Sequence, residues 1–157
     1  MQTVNVRPAS SGDAVWAAAL MASSDPWVTL GRGFDACYQA CTWTGDVLEI
    51  AELDGERCGF VLVRPSGVAG APYVKSIAVS PDHRSRGVGA VLLAHVERAF
   101  EGRARHLFLC VSSFNGRAKR FYERLGYAAV GVIEDFLIDG ADEVLMYKRL
   151  RDPGASA

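Results

Sequence analysis

The stretch YVKSIAVSPDHRSRGVGAVLLAHVERAF, residues 73–100, contains the pattern that decides the fold. An apolar strand-like run at 73–79 is followed by Gly87 and Gly89 at the start of a helix-like apolar repeat. A helix begins with unpaired backbone N–H groups and the positive end of its dipole, so a glycine-lined start beside Arg84 can form an anion site. The alternative is a tight strand-to-helix turn without a ligand, because short glycine patterns recur by accident.

Length and composition limit the class of protein. The chain has 157 residues, enough for one domain with a sizeable core and too few for two ordinary domains. We therefore expect a single domain over residues 1–157, with a core of about 4–150 and a flexible tail at 151–157. Half of the residues are hydrophobic and the formal net charge is −1. This composition argues against disorder and against an overall basic surface for nucleic acid.

The N-terminal stretch MQTVNVRPASSGD (1–13) lacks a charged segment followed by an apolar run. No apolar run in the chain approaches the length that is needed to span a bilayer. These features predict a cytoplasmic protein with no membrane partner.

The four cysteines, Cys37, Cys41, Cys58 and Cys110, are spread along the chain without a CxxC pair, and the three histidines are scattered. We expect free buried thiols and no metal site.

Apolar alternation and short apolar runs predict the strands and helices. Strands are expected at 2–7, 47–53, 58–64, 73–79, 106–112, 127–133 and 143–149. Helices are expected from Ser11 or Asp13 through Leu20, at 34–41, from Gly87 to Phe100 with Glu97 pointing outward, and from an Asn115 cap to Leu125.

The connections between these elements give the pairing. Asp54-Gly55 predicts a tight hairpin turn, so the strands at 47–53 and 58–64 should pair antiparallel. The stretch PSGVAGAP (65–72) is predicted as a connector. The strand, helix, strand order over 73–112 predicts a parallel pair with a right-handed crossover.

Three segments in this order resemble the GNAT (Gcn5-related N-acetyltransferase) superfamily: SIAVSPDHRSRGVGAVLL (76–93), VSSFNGRAKRFYERLGYAAVG (111–131) and LMYKRL (145–150). The resemblance implies an α/β (α+β) fold with a mixed, mostly antiparallel sheet of six to seven strands, flanked by about four helices. It also implies that a central parallel strand pair, at 73–79 and 106–112, is splayed open. The implied activity is an acetyl-CoA-dependent N-acetyltransferase, with acetyl-CoA as cosubstrate.

The resemblance assigns cofactor contacts residue by residue. The pyrophosphate loop of the family corresponds to Arg84, Ser85, Arg86, Gly87, Val88, Gly89 and Ala90, mostly through backbone amides. The backbone that pairs with the pantetheine arm corresponds to Ile77, Ala78 and Val79. Asn115 matches the asparagine that binds this arm, although an asparagine there can also cap a helix without a ligand.

Tyr122 in FYERLGY matches the family tyrosine beside the thioester sulfur. Attack of a neutral amine needs the departing thiolate to be protonated and the oxyanion to be met by a fixed N–H such as that of Val79. A tyrosine hydroxyl stays protonated at neutral pH and can donate to sulfur, which makes Tyr122 the candidate general acid. The alternative is a core aromatic residue of an amphipathic helix.

The general base and the acceptor site are less defined. Where many family members carry a glutamate, this chain has Tyr73 and Cys110, so the alternatives are deprotonation through water or with the help of Glu134 or Asp135. Asp25 could hold an ammonium group under the Trp27 indole, or the two could form a turn and fill the core. The candidate acceptor-site residues are Asp25, Trp27, Tyr73, Phe114 and Asp135.

Three hypotheses follow. The first is an N-acetyltransferase that acts on a primary amine of a small molecule or of a protein N-terminus. The second is a non-catalytic acyl-CoA-binding sensor or regulatory module, and the third is an unrelated α/β domain with a structural anion site. The expected partners are acetyl-CoA and an amine acceptor, without nucleic acid, and a homodimer is left open.

Overall fold

The computed structural model of the chain describes residues 2–152 and residue 154. Within them the strands are β1 (Val4–Pro8), β2 (Val47–Leu53), β3 (Glu56–Val68), β4 (Ala71–Val79), β5 (His106–Ser112), β6 (Ala128–Ile138) and β7 (Ala141–Arg149). The α-helices are α1 (Asp13–Ala22), α2 (Phe34–Cys41), α3 (Val88–Phe100) and α4 (Gly116–Arg124). A short 3₁₀ turn covers Pro81–His83. Part of the tail predicted to be flexible, at 153 and 155–157, lies outside the described residues.

The strands form one mixed sheet in the order β1-β2-β3-β4-β5-β7-β6. Strands β4 and β5 run parallel, and the other neighbouring pairs are antiparallel. Helix α3 connects the parallel pair, as the strand, helix, strand order predicts. The predicted fold class is confirmed.

The prediction that residues 65–72 form a connector is wrong. Strand β3 continues to Val68 and β4 begins at Ala71, so the connection is a tight turn with positive φ at Ala69 (49°) and Gly70 (83°). Such a turn matches the twist of a hairpin. Pro65 misled the prediction because it lies where the β3–β4 register is interrupted, between Arg64 and Val68, a position at which proline is tolerated in a strand.

Two apolar clusters cover opposite faces of the sheet. Helices α3 and α4 cover one face, where the buried residues include Val74, Leu92, Val96, Leu109 and Tyr122. Helices α1 and α2 cover the other face, with Met21, Cys41, Ile50, Phe60 and Leu62. The thiols of Cys37, Cys41 and Cys58 are free and buried, as predicted, whereas Cys110 is free and only partly buried.

The start of α1 differs from the prediction. Gly12, with φ 85°, occupies the N-cap position in place of Ser11 or Asp13. The Asp13 carboxylate is fully buried and takes a charged hydrogen bond from Arg7 at 2.6 Å, so it is unavailable as a cap. At the start of α4 the predicted cap is confirmed, because Asn115 Oδ1 accepts a hydrogen bond from the Ala118 N–H at 3.3 Å.

Among the described residues, no helix combines the length and the apolar character that a membrane crossing requires.

Candidate functional site

The parallel pairing of β4 with β5 stops after two residue pairs, Tyr73 with Phe108 and Val74 with Leu109. A β-bulge contributes to this divergence. Leu62 and Val63 of β3 pair with Ser76 and Val74, which leaves Lys75 as an extra residue in β4. Beyond the bulge β4 stays hydrogen-bonded to β3 while it separates from β5. The sheet therefore opens at its centre.

A cleft of about 930 Å³ occupies this opening. Successive side chains of a strand point to opposite faces, and the cleft is lined from both. Val74 and Leu109 belong to the α3 side, whereas Tyr73 and Cys110 lie on the side of α1 and α2. The cleft thus connects the two faces through the sheet, and two ligands that approach from opposite faces can meet inside it.

Most of the predicted cofactor residues line the cleft. They are Ile77, Ala78 and Val79 on β4, Arg84, Ser85 and Gly87 in the loop, Val88 and Gly89 at the start of α3, and Asn115 before α4. Arg86, which is exposed, and Ala90, in the first turn of α3, are not among the lining residues.

The loop before α3 has the geometry of an anion-binding turn. Ser85 and Gly87 have positive φ values of 62° and 79°, a backbone arrangement in which successive N–H groups can converge. Arg84 Nε donates to the Val79 carbonyl oxygen at 3.3 Å and ties the loop to the end of β4. The first turn of α3 contains no acidic residue. The positive end of this helix dipole therefore faces the cleft without a competing carboxylate.

Tyr122 lies in the cleft wall on α4, with 8% of its surface exposed. Its ring packs against Phe121 and Tyr127, with centroid separations of 5.4 and 6.1 Å. Burial raises the pKa of Tyr122 to about 12. The hydroxyl consequently holds its proton throughout the neutral range.

The predicted acceptor residues divide into two groups. Asp25, Trp27 and Tyr73 line the cleft, whereas Phe114 and Asp135 do not. Asp25 Oδ1 also accepts hydrogen bonds from the Thr29 N–H (3.1 Å) and hydroxyl (2.6 Å), which fits the turn-forming alternative.

The two residues outside the cleft have other surroundings. Asp135 has a positive φ of 47°, and its carboxylate accepts the Gly140 N–H at 2.7 Å within the β6–β7 hairpin. Phe114 is 41% exposed. Neither side chain therefore belongs to the cleft wall in this structure.

The cleft lining also includes residues that the sequence did not single out, among them Arg32, Phe136 and Glu143. Glu143 is 4% exposed and accepts a 2.6 Å hydrogen bond from the Ser112 hydroxyl of the neighbouring strand. The signal that could have found it is the register of β7 against β5, in which Glu143 lies opposite Ser112. That register is a long-range property, and a single sequence does not reveal it.

Three titratable groups interact on the α1 and α2 side of the cleft. Burial raises the pKa values of Tyr73, Cys110 and Glu143, and the neighbouring Cys110 side chain raises the pKa of the tyrosine further. The Ser112 hydrogen bond and the charge of Arg32 act in the opposite direction on Glu143. Cys110 is therefore a thiol at neutral pH.

Within the described part of the chain, no group of three or more His, Cys, Asp or Glu side chains is arranged to hold a metal ion.

Comparison with known proteins identifies relatives of this chain. The acetyltransferase (GNAT) family model matches residues 16–127. An uncharacterized N-acetyltransferase from Methanocaldococcus jannaschii is 32% identical over 119 residues, which cover 74% of this chain and 71% of that protein.

Two further relatives match over shorter segments. A streptothricin acetyltransferase from Streptomyces lavendulae is 38% identical over 80 residues, 50% of this chain and 42% of that protein. An N-alpha-acetyltransferase from Sulfurisphaera tokodaii is 32% identical over 109 residues, 62% of this chain and 65% of that protein.

Solved structures share the fold. A GNAT-family acetyltransferase structure from Desulfovibrio desulfuricans superposes with a TM-score of 0.80 at 23% identity, covering 95% of this chain and 100% of that one. A streptothricin acetyltransferase structure from Bacillus anthracis, solved in complex with acetyl coenzyme A, gives a TM-score of 0.63 at 23% identity, covering 72% and 67% of the two chains.

Proposed function

This chain belongs to the acetyltransferase (GNAT) family, and from that premise we propose that it transfers the acetyl group of acetyl-CoA directly to a primary amine of a small molecule or of a protein N-terminus. The observation that carries the proposal is the cleft that passes through the sheet between β4 and β5. It allows acetyl-CoA and the amine to enter from opposite faces. The hypothesis of an unrelated α/β domain is excluded by family membership.

The cofactor side is assigned to the α3 face. The β4 edge at Ile77–Val79 has lost its β5 partner, so its backbone groups are available to an extended pantetheine arm in the manner of an added strand. The loop at 84–90 would take the pyrophosphate through its N–H groups and the dipole of α3. Asn115 would donate its side-chain amide N–H to the same arm, while its Oδ1 caps α4.

The chemistry uses two further groups. The neutral amine nitrogen attacks the thioester carbonyl carbon, and the backbone N–H of Val79 would stabilise the oxyanion. As the C–S bond breaks, the Tyr122 hydroxyl would donate its proton to the departing thiolate. Because Tyr122 stays protonated at neutral pH, this donor is available in each cycle.

The acceptor would lie on the α1 and α2 side. Among the residues there, Tyr73, Trp27 and Asp25 supply two aromatic rings and a carboxylate, which suit a primary ammonium group. The matched relatives act on a small molecule in one case, streptothricin, and carry an N-alpha-acetyltransferase name in another. Both acceptor classes therefore belong in the test.

The test follows CoA release with acetyl-CoA and a panel of polyamines, amino acids, aminoglycosides and short peptides. With an accepted amine, Tyr122→Phe should lower kcat by roughly 100-fold or more, because it removes the proton donor and keeps the ring packing. Acetyl-CoA affinity, measured by calorimetry, should stay within about twofold. Tyr38→Phe, on the exposed side of α2 and outside the cleft, is the matched control.

A non-catalytic acyl-CoA sensor is the second candidate. The observation that favours it is the presence of Tyr73 and Cys110 where many family members carry a basic carboxylate. Tight acetyl-CoA binding without CoA release for any amine in the panel would support the sensor. Turnover by the parent protein excludes the sensor, and turnover by Tyr122→Phe at the parent rate excludes the acid role of Tyr122.

A further inference from the structure

Glu143 is a buried carboxylate that forms no salt bridge among the described residues. Its surface is 4% exposed, and the ion pairs that those residues form do not include it. A buried carboxylate costs folding free energy unless it is paired, so such a residue in a cleft is suited to a cationic ligand. Its hydrogen bond from Ser112 fixes the carboxylate against β5.

The position of Glu143 places it beside the opening in the sheet. Glu143 lies on β7, opposite Ser112 of β5. Ser112 is two residues beyond Cys110 on the same strand, so all three side chains are on the same face of the sheet. Tyr73 marks the closed end of the opening, and Ile77–Val79 form its other flank. A group held between the flanks would therefore have the Glu143 carboxylate on the acceptor side.

We propose that Glu143 binds the ammonium group of the acceptor and removes its proton, supplying from β7 the general base that is missing at Tyr73 and Cys110. The assignment rests on the proposed N-acetyl transfer. An R–NH₃⁺ acceptor gives one proton to the carboxylate, and the lone pair that is freed forms the C–N bond to the acetyl carbon. The C–S bond breaks and the thiolate sulfur receives a proton from Tyr122.

The remaining proton transfers return both residues to their starting states. The acetylated nitrogen loses a second proton as the amide forms, and this proton restores the Tyr122 phenolate to a phenol. Glu143 then releases its proton to solvent. The sum is one ammonium and one thioester consumed, with one amide, one thiol and one solvent proton formed.

The surroundings of the carboxylate make it more basic than an ordinary glutamate. Burial raises the pKa of Glu143, and it is opposed by the hydrogen bond of Ser112 and by the charge of Arg32 from the α1–α2 connection. Tyr73 on β4 and Cys110 on β5 also face it, and both are neutral at neutral pH. A general base works best when its pKa is near the working pH, because it is then both deprotonated and basic.

The first test compares Glu143→Gln with the parent protein in kcat/KM for an accepted amine across the pH range. The glutamine side chain keeps the shape and can still accept the Ser112 hydrogen bond, so folding should be retained. We expect kcat/KM to fall by roughly 100- to 10,000-fold near neutral pH and the acidic limb attributed to Glu143 to disappear. Acetyl-CoA affinity should stay within about twofold of the parent. Asp142→Asn, one residue earlier and outside the cleft, is the matched control.

A second variant tests the environment of the carboxylate. Ser112→Ala removes a hydrogen bond that lowers the pKa of Glu143, so the acidic limb of the kcat/KM profile should move to higher pH. Two results would overturn the role of Glu143 while leaving the proposed acetyl transfer intact. One is an acidic limb of the kcat/KM profile that does not move in Ser112→Ala, and the other is a Glu143→Gln activity within about threefold of the parent. A parent protein that acetylates no amine overturns the assignment together with the proposed function.

Discussion

Gly89 offers the sharpest test of the phosphate site. A Cβ atom at this position would lie 3.0 Å from Phe121 Cζ and 3.5 Å from Phe121 Cε1. Favourable carbon–carbon contacts begin at about 3.5 Å, so a Cβ atom at 89 requires the Phe121 ring to move by a few tenths of an ångström. A side chain at 89 therefore disturbs the packing of α3 against α4, independently of any ligand.

The expected magnitude follows from that overlap. Gly89→Val should destabilise the fold by about 1–3 kcal/mol, the usual cost of overpacking. For a chain of this length the melting temperature should fall by roughly 2–12 °C. If the loop also binds the phosphates of CoA, the new side chain should raise the acetyl-CoA Kd by about tenfold or more. Differential scanning fluorimetry and calorimetry give the two quantities.

A second substitution separates the two roles of the glycine. Phe121→Leu removes the Cζ atom that the introduced valine would strike, so the double variant should regain the stability of Phe121→Leu alone. If the CoA phosphates can approach the backbone only when residue 89 is glycine, the double variant should still bind acetyl-CoA more weakly than Phe121→Leu does. Gly131→Val, where a Cβ meets nothing within 4 Å, is the control. Unchanged acetyl-CoA affinity in folded Gly89→Val would refute the phosphate site.

Two further predictions concern stability and thiol reactivity. The hydrogen bond from Arg7 lowers the pKa of Asp13 to about 2, so its contribution, about 2 kcal/mol, is present near neutral pH and lost as the pH falls from about 4 to 2. Asp13→Asn should remove that stability in urea titrations near pH 7 and differ little from the parent near pH 2. An equal difference at both pH values would contradict the linkage. Burial raises the pKa of Cys41 to about 11, so near pH 8 iodoacetamide should label it at least about tenfold more slowly in the native protein than in urea, as measured by mass spectrometry. Equal labelling rates would show that the thiol is accessible.

Local sequence signals predicted most of the fold because they act over short distances. The apolar runs gave the strands, and Asp54-Gly55 gave the first hairpin turn, in which both residues have positive φ. The second hairpin was missed because Gly and Pro occur both in connectors and in interrupted strands. Glu97, predicted to point outward, is instead half-buried and accepts hydrogen bonds from Tyr127 (2.9 Å) and Lys148 (3.0 Å). Partners so distant along the chain are not visible in helical periodicity.

The candidate site also contains one part that the sequence predicts and one part that it does not. The loop at 84–90 and Tyr122 lie in continuous motifs, which a sequence can present in full. The α1 and α2 side of the cleft is assembled from β4, β5, β7 and the α1–α2 connection, so its composition depends on strand register. Asp135 and Glu143 illustrate the difference, because both are acidic residues near the end of the chain and Glu143 alone of the two lines the cleft. Eight positions and one turn separate them.

The short pairing of β4 with β5, which comprises two residue pairs, also bears on the width of the cleft. Backbone hydrogen bonds join the halves of the sheet at Tyr73–Phe108 and Val74–Leu109. Beyond that junction the spacing between the halves depends on how the buried side chains of the α3 face pack against both of them. Side-chain packing, rather than backbone hydrogen bonding, therefore determines how far apart the walls of the cleft stand. A core residue outside the cleft lining can in this way change the width of the cleft.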